Sequence, residues 1–118
     1  MAADFCGRTE TKAPVLTFAI ITCSDTRDES QDTAGTALKE RIANKGWQCA
    51  SYEVVKDDRT TIAQAIAQAA DMSEVDVVLT CGGTGLSSRD VTPEATRDVC
   101  DREVPGIAEG MRAYSLQI

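Results

Sequence analysis

The residues with most chemistry to offer fall in three short polar stretches, each directly after an apolar run. The third is the plainest. Cys81-Gly82-Gly83-Thr84-Gly85 follows residues 75–80 (VDVVLT), and Ser88, Arg89 and Asp90 come soon after. Glycines there let backbone N–H groups close on an anion without side-chain interference, and Thr84 and Ser88 add hydroxyls. The same residues also suit a tight turn after a buried strand. No GK[ST] follows and the pattern is not G-x-G-x-x-G, so neither familiar nucleotide loop is present. The second stretch, Lys56-Asp57-Asp58-Arg59-Thr60, carries adjacent carboxylates. Asp90 is expected to face Asp57 or Asp58 across the strand ends. Two such carboxylates repel each other unless a cation joins them, and Mg²⁺ holding ligand phosphates would do so. Capping of the helix that follows would equally account for Asp90. In the first stretch, residues 23–31, Ser24-Asp25-Thr26 with Asp32 just beyond suits the N–H donors of a polar heterocycle, or a solvated acidic loop. Arg27 and Arg89 are its and the third stretch's cations, for a phosphate or for surface ion pairs.

The chain has no histidine, which removes Ser-His-Asp and Cys-His nucleophile systems. Five cysteines at 6, 23, 49, 81 and 100 are widely spaced and form no paired CxxC zinc pattern. Cys23 and Cys81 each follow a strand, where a thiol packs as a small hydrophobe.

These stretches need a frame that brings them together. Residues 15–22 (VLTFAIIT) read as a strand covered on both faces. A helix is expected over 33–45, with Asp32 as its cap, Leu38 and Ile42 on its apolar stripe and Gly46 past its end. Residues 47–55 (WQCASYEVV) return as a strand, and Trp47 should pack against core or rim. Thr61 with Gln64 predicts a capping box for a second helix, and residues 75–80 form a third strand. Thr92-Pro93-Glu94 predicts a third helix, hydroxyl-capped, with proline at its first position, running to about residue 102. Pro105-Gly106 should break it before a short fourth helix over 107–114. The order βαβαβ with right-handed crossovers means a layered parallel α/β sheet, and ligands of such sheets bind beyond the carboxyl ends of the strands. All three polar stretches leave those ends. Residues 1–14 read as a flexible arm and 15–118 as a single domain.

At 118 residues the chain is one domain's worth of protein. Asp and Glu number 19 against 12 Lys and Arg, a net charge of −7. That balance argues against nucleic acid and against anionic membrane surfaces. No apolar run is long enough to span a bilayer. An acid in the opening MAADFC stands where a secretory signal carries bases, so a cytoplasmic location is expected.

In order along the chain, TCSDTRDESQDTAG, VVLTCGGTGLSSRDVTPEATRDVC and DREVPGIAEGMR are similar to the signature of the MoaB/Mog family of molybdenum cofactor biosynthesis proteins, over residues 15–114. The resemblance implies a three-layer α/β/α fold with a mostly parallel sheet, assembled as a homotrimer or homohexamer. It implies adenylylation of molybdopterin using ATP and Mg²⁺, or binding of molybdopterin or nucleotide without turnover. Carried over by motif, Asp90 matches the acid of RDVTP. Asp57 matches the acid of the second loop, which here reads VVKDD with Lys56 in place of a proline, so Asp58 stays open as the alternative. Both carboxylates would act in catalysis and hold Mg²⁺. Gly82, Gly83, Thr84, Gly85 and Ser88 would cradle phosphates, and Ser24, Asp25, Thr26 and Asp32 would line the pterin side. Family chains continue for several dozen residues beyond this one, so the C-terminal part of the fold is expected to be missing.

Overall fold

Alternating apolar side chains on both faces make Thr17–Cys23 (β1) a strand that must be covered twice, and from Phe18 onward each of its residues is buried. In the computed structural model, which describes residues 13–118, β1 is the middle strand. The expected arm over 1–14 therefore lies mostly outside the described residues. Gln48–Val55 (β2) and Val77–Cys81 (β3) pair with β1 on either side, both parallel, in the order β2-β1-β3. Ile20 sits opposite Tyr52 and Leu79, and a bulge between Phe18 and Ala19 offsets the start of the β2 pairing.

The alternation of β1 divides the core in two. Ala19, Ile21 and Cys23 pack with Ile62, Ala65, Ile66 and Ala69 of Arg59–Ala70 (α2) and Ala95 of Thr92–Val99 (α3). Phe18 and Ile20 pack on the other face with Leu38 and Ile42 of Thr33–Asn44 (α1). Trp47 joins this second core by stacking on Phe18, with ring centroids 5.3 Å apart. The result is three layers, α/β/α, as expected. Pro105–Ser115 (α4) contributes no buried residue and leaves Ile107, Met111 and Tyr114 exposed.

Helix caps differ from expectation in two places. α2 begins at Arg59 because Asp58, not Thr61, is its cap: Asp58 accepts from Thr61 N at 2.9 Å and from Thr61 Oγ1 at 2.8 Å. Thr92 opens α3 but caps nothing. Its side chain is buried and turned away from the helix's free N–H groups, and the cap position falls to Val91. α3 also stops at Val99 instead of near residue 102, and Pro105 starts α4 instead of preceding it.

The crossover from β1 to β2 runs over one face through α1, and that from β2 to β3 over the other through α2. The chain therefore leaves β1 and β3, neighbours in the sheet, toward opposite faces. Their carboxyl ends form a switch point, where open sheets of this kind place a ligand crevice.

Candidate functional site

The GGTG turn occupies that crevice. Gly82 and Gly83 have φ of 90° and 70°, a region L side chains rarely adopt. A β-carbon on Gly82 would overlap the Cys23 carbonyl oxygen, so the end of β1 and the turn after β3 touch backbone to backbone. On Gly83 it would collide with Thr92 Oγ1 and lie 3.2 Å from Asp57 Oδ1. The Thr92 N–H donates to the Gly83 carbonyl at 3.1 Å, tying α3 to the turn.

The two atoms facing Gly83 share a further property. Asp57 Oδ1 and Thr92 Oγ1 are the buried side-chain oxygens without a hydrogen-bond partner among the described residues. Asp57 reaches this place because Asp58 is spent on capping α2, which leaves the preceding residue outside the helix and turned to the crevice. Its other oxygen, Oδ2, accepts from Asp25 N at 3.0 Å, and Asp57 N donates back to Asp25 Oδ1 at 2.9 Å. Arg89 closes on Asp25 from the third loop, Nε to Oδ2 at 2.9 Å and Nη2 to Oδ1 at 3.1 Å. That guanidinium and the Asp57 amide hold the Asp25 carboxyl below the usual carboxylate range. Lys56 Nζ donates to the Asp25 carbonyl at 3.1 Å. Sequence reasoning missed this three-loop junction, since no local signal pairs Asp25 with a residue 64 positions away.

Asp90 stands at the far end of the turn. Its Oδ2 accepts from Ser87 N at 3.0 Å and lies 2.8 Å from where a Gly85 β-carbon would be. Asp57 and Asp90 thus flank the GGTG turn at Gly83 and Gly85. Thr84 and Ser88 are exposed. Ser24 Oγ accepts from Thr26 N and Arg27 N, shaping the first loop, while Thr26 is exposed. Two grooves border the site. One of about 410 Å³ is lined by Thr80, Thr84, Thr92, Arg97, Arg102 and Val104, and one of about 290 Å³ by Ser24, Arg27, Asp28, Val55 and Lys56.

Asp32 is not brought to this rim. It is 1% exposed, and its carboxylate is fully engaged by Thr22 Oγ1 and Tyr52 Oη, each at 2.6 Å, and by Gly35 N at 3.0 Å. Burial alone would raise its pKa; these three donors outweigh burial and hold it below the usual value. Burial, followed by the bond to Asp32, pushes the Tyr52 hydroxyl up. Burial likewise raises the Cys23 thiol, which suits a packing role.

Among the described residues no three His, Cys, Asp or Glu side chains gather as a metal-binding group. The donors that are present, Asp57 Oδ1 and the Asp90 carboxylate, suit Mg²⁺, which takes one or two carboxylates beside substrate phosphates. No described helix is long and apolar enough to cross a membrane.

Residues 19–118 match a family described as "Probable molybdopterin binding domain". The chain is 46% identical over 96 residues to molybdenum cofactor biosynthesis protein B of Bacillus cereus, covering 81% of this chain and 57% of that one. It is 38% identical over 89 residues to a molybdopterin adenylyltransferase of Helicobacter pylori, covering 74% and 51%. A crystal structure of a molybdenum cofactor biosynthesis protein B superposes with a TM-score of 0.82 at 42% identity, over 89% of this chain and 65% of that one. The chain spans a little over half the length of these curated relatives.

Proposed function

The chain belongs to the MoaB/Mog family of molybdopterin-binding domains, and on that premise we propose that it adenylylates molybdopterin in molybdenum cofactor biosynthesis. A terminal phosphate oxygen of the pterin attacks the α-phosphorus of ATP. The bond to the β-phosphate bridging oxygen breaks, and pyrophosphate leaves. Such a reaction asks little covalent help of the protein and needs no histidine; it needs positioning and relief of charge. The backbone of Gly82, Gly83, Thr84 and Gly85, with Ser88, receives phosphate oxygens, and Ser24 and Thr26 border the pterin. Asp57 and Asp90 would hold Mg²⁺, which when bound neutralises phosphate charge and polarises the α-phosphorus.

The observation that carries this reading is Asp57 Oδ1, buried, unpartnered and set against Gly83 at the crevice. Purified protein given molybdopterin, ATP and Mg²⁺ should release pyrophosphate and form adenylylated pterin. D57N and D90N should each lower the rate at least about 100-fold, while D58N, which keeps a good cap, should not. Absence of product from folded, assembled protein refutes the reading.

The second loop, where Lys56 precedes Asp57 and ties itself to the Asp25 carbonyl, favours a second reading, retention of molybdopterin or nucleotide without turnover. Calorimetric binding with no pyrophosphate release would select it. Assembly as a homotrimer or homohexamer in the cytoplasm belongs to the same proposal. The exposed apolar stripe of Ile107, Met111 and Tyr114 supports assembly, and a monomer in sedimentation would oppose it.

A further inference from the structure

Asp57 is useful to the proposed site only while one oxygen faces Gly83 and the other is held away. A carboxylate does not select that arrangement by itself, because its terminal torsion is broad and nearly two-fold. Here the selection comes from Asp25, whose N–H takes Asp57 Oδ2 and whose Oδ1 takes the Asp57 N–H, a reciprocal pair that closes a ring between the first and second loops. Asp25 is held in turn. Arg89 grips both of its carboxylate oxygens with a planar fork, and Lys56 Nζ takes its carbonyl. Every polar atom of Asp25 is therefore engaged within the protein. An ordinary surface ion pair contributes little, but this one joins the third loop to a carboxylate already bonded to the second.

We propose that Asp25 and Arg89 are positioning residues, Arg89 fixing Asp25 and Asp25 fixing Asp57 with Oδ1 toward the glycine turn. This rests on the reading of Asp57 given above and revises what the family resemblance implies for Asp25, which serves Asp57 instead of the pterin. Lysine at position 89 cannot replace the fork, since it offers a point charge.

The test compares wild type with R89A, R89K, D25A and the double variant D25A/R89A. The Asp57 rotamer, carboxylate plane included, is read from ligand-free crystal structures of each variant, and kcat and KM for ATP are measured alongside. R89A changes an exposed side chain and should leave folding intact. Wild type should show one Asp57 rotamer, and D25A and R89A should each show more than one. Each should lower kcat about 10- to 100-fold with KM changed less than about threefold, R89K falling between. The double variant should match D25A within about twofold, because both substitutions break one chain of contacts.

A single Asp57 rotamer in R89A would overturn the proposal. So would additive losses in the double variant, or a raised KM with unchanged kcat in R89A, which would make Arg89 a direct phosphate ligand. If wild type releases no pyrophosphate, the adenylylation reading fails by itself; the rotamer measurement still decides the positioning claim.

Discussion

Two glycines with nearly the same φ separate strain from space. Gly46 has φ +77° with nothing within 4 Å of a built β-carbon, and Gly83 has φ +70° with two side chains against it. G46A therefore adds only the left-handed penalty, about 1–2 kcal/mol. G83A adds the same penalty and a steric one. Its β-carbon would collide with Thr92 Oγ1, and would lie 3.3 Å from Thr92 Cβ and 3.2 Å from Asp57 Oδ1. Thr92 is only 2% exposed and cannot swing into solvent, so overpacking of about 1–3 kcal/mol is expected on top. For a domain of this size each kcal/mol moves Tm by about 3–5 °C. G46A should thus lower Tm by roughly 5 °C, and G83A by roughly 10 °C or more. Calorimetry at one fixed protein concentration measures both without interference from assembly. In the adenylylation assay G46A should stay within about twofold of wild type, and G83A should be inactive even well below its Tm. Equal Tm values for the two variants, or an active G83A, would refute the claim that Gly83 keeps open the space between Thr92 and Asp57.

Thr92→Val deletes a buried hydroxyl that lacks a partner, so the ligand-free protein should be unchanged or up to about 1 kcal/mol more stable; a lower Tm in calorimetry would mean the hydroxyl is satisfied. The folded-state pKa of Asp32 is depressed, so its contribution is present above the ordinary carboxylate value near 3.9 and is lost as pH falls through the lower folded value. Urea midpoints from pH 7 to pH 2 should therefore fall below about pH 4 in wild type and fall less steeply there in D32N, where the other depressed carboxylates still titrate, whereas parallel curves would contradict the assignment. Ile20→Ala empties a fully buried position of the central strand and should cost about 2–5 kcal/mol in urea denaturation.

What could be read in advance was what depends on short spacing. The nearly continuous apolar run of residues 15–22 locates β1 within two residues, and Asp32 is recognisable as the α1 cap because Gly35 N lies one turn away. Asp57 and Asp58 could not be separated, being identical in chemistry and adjacent. The helix start assigns the cap to Asp58, whose oxygen reaches Thr61 N. Thr92 misleads for a related reason. A hydroxyl before proline resembles a cap in sequence, yet tertiary packing turns it into the core toward Gly83. Contacts across 32 and 64 residues, from Asp25 to Asp57 and to Arg89, exist only once the sheet has brought three loops to one edge.

Asp32 and Asp57 show how far burial alone would mislead. Both are carboxylates in or beside loops that follow strands, and Asp32 is the more deeply buried of the two. Its oxygens take three donors and are closed off from solvent; such a network fixes the junction of β1, α1 and β2. Asp57 has donors on one side only. Leaving a buried polar atom unmet costs about 1–3 kcal/mol, and a chain that satisfies Asp32 so fully has no local need to leave Asp57 Oδ1 and Thr92 Oγ1 bare at one point. Their position supplies the reason. The sheet order puts the ends of β1 and β3 side by side, Gly83 has no side chain there, and the two bare oxygens pack against it where a β-carbon would stand. The deficit is local and paired against the glycine turn, which the proposed binding site requires and a packing fault does not.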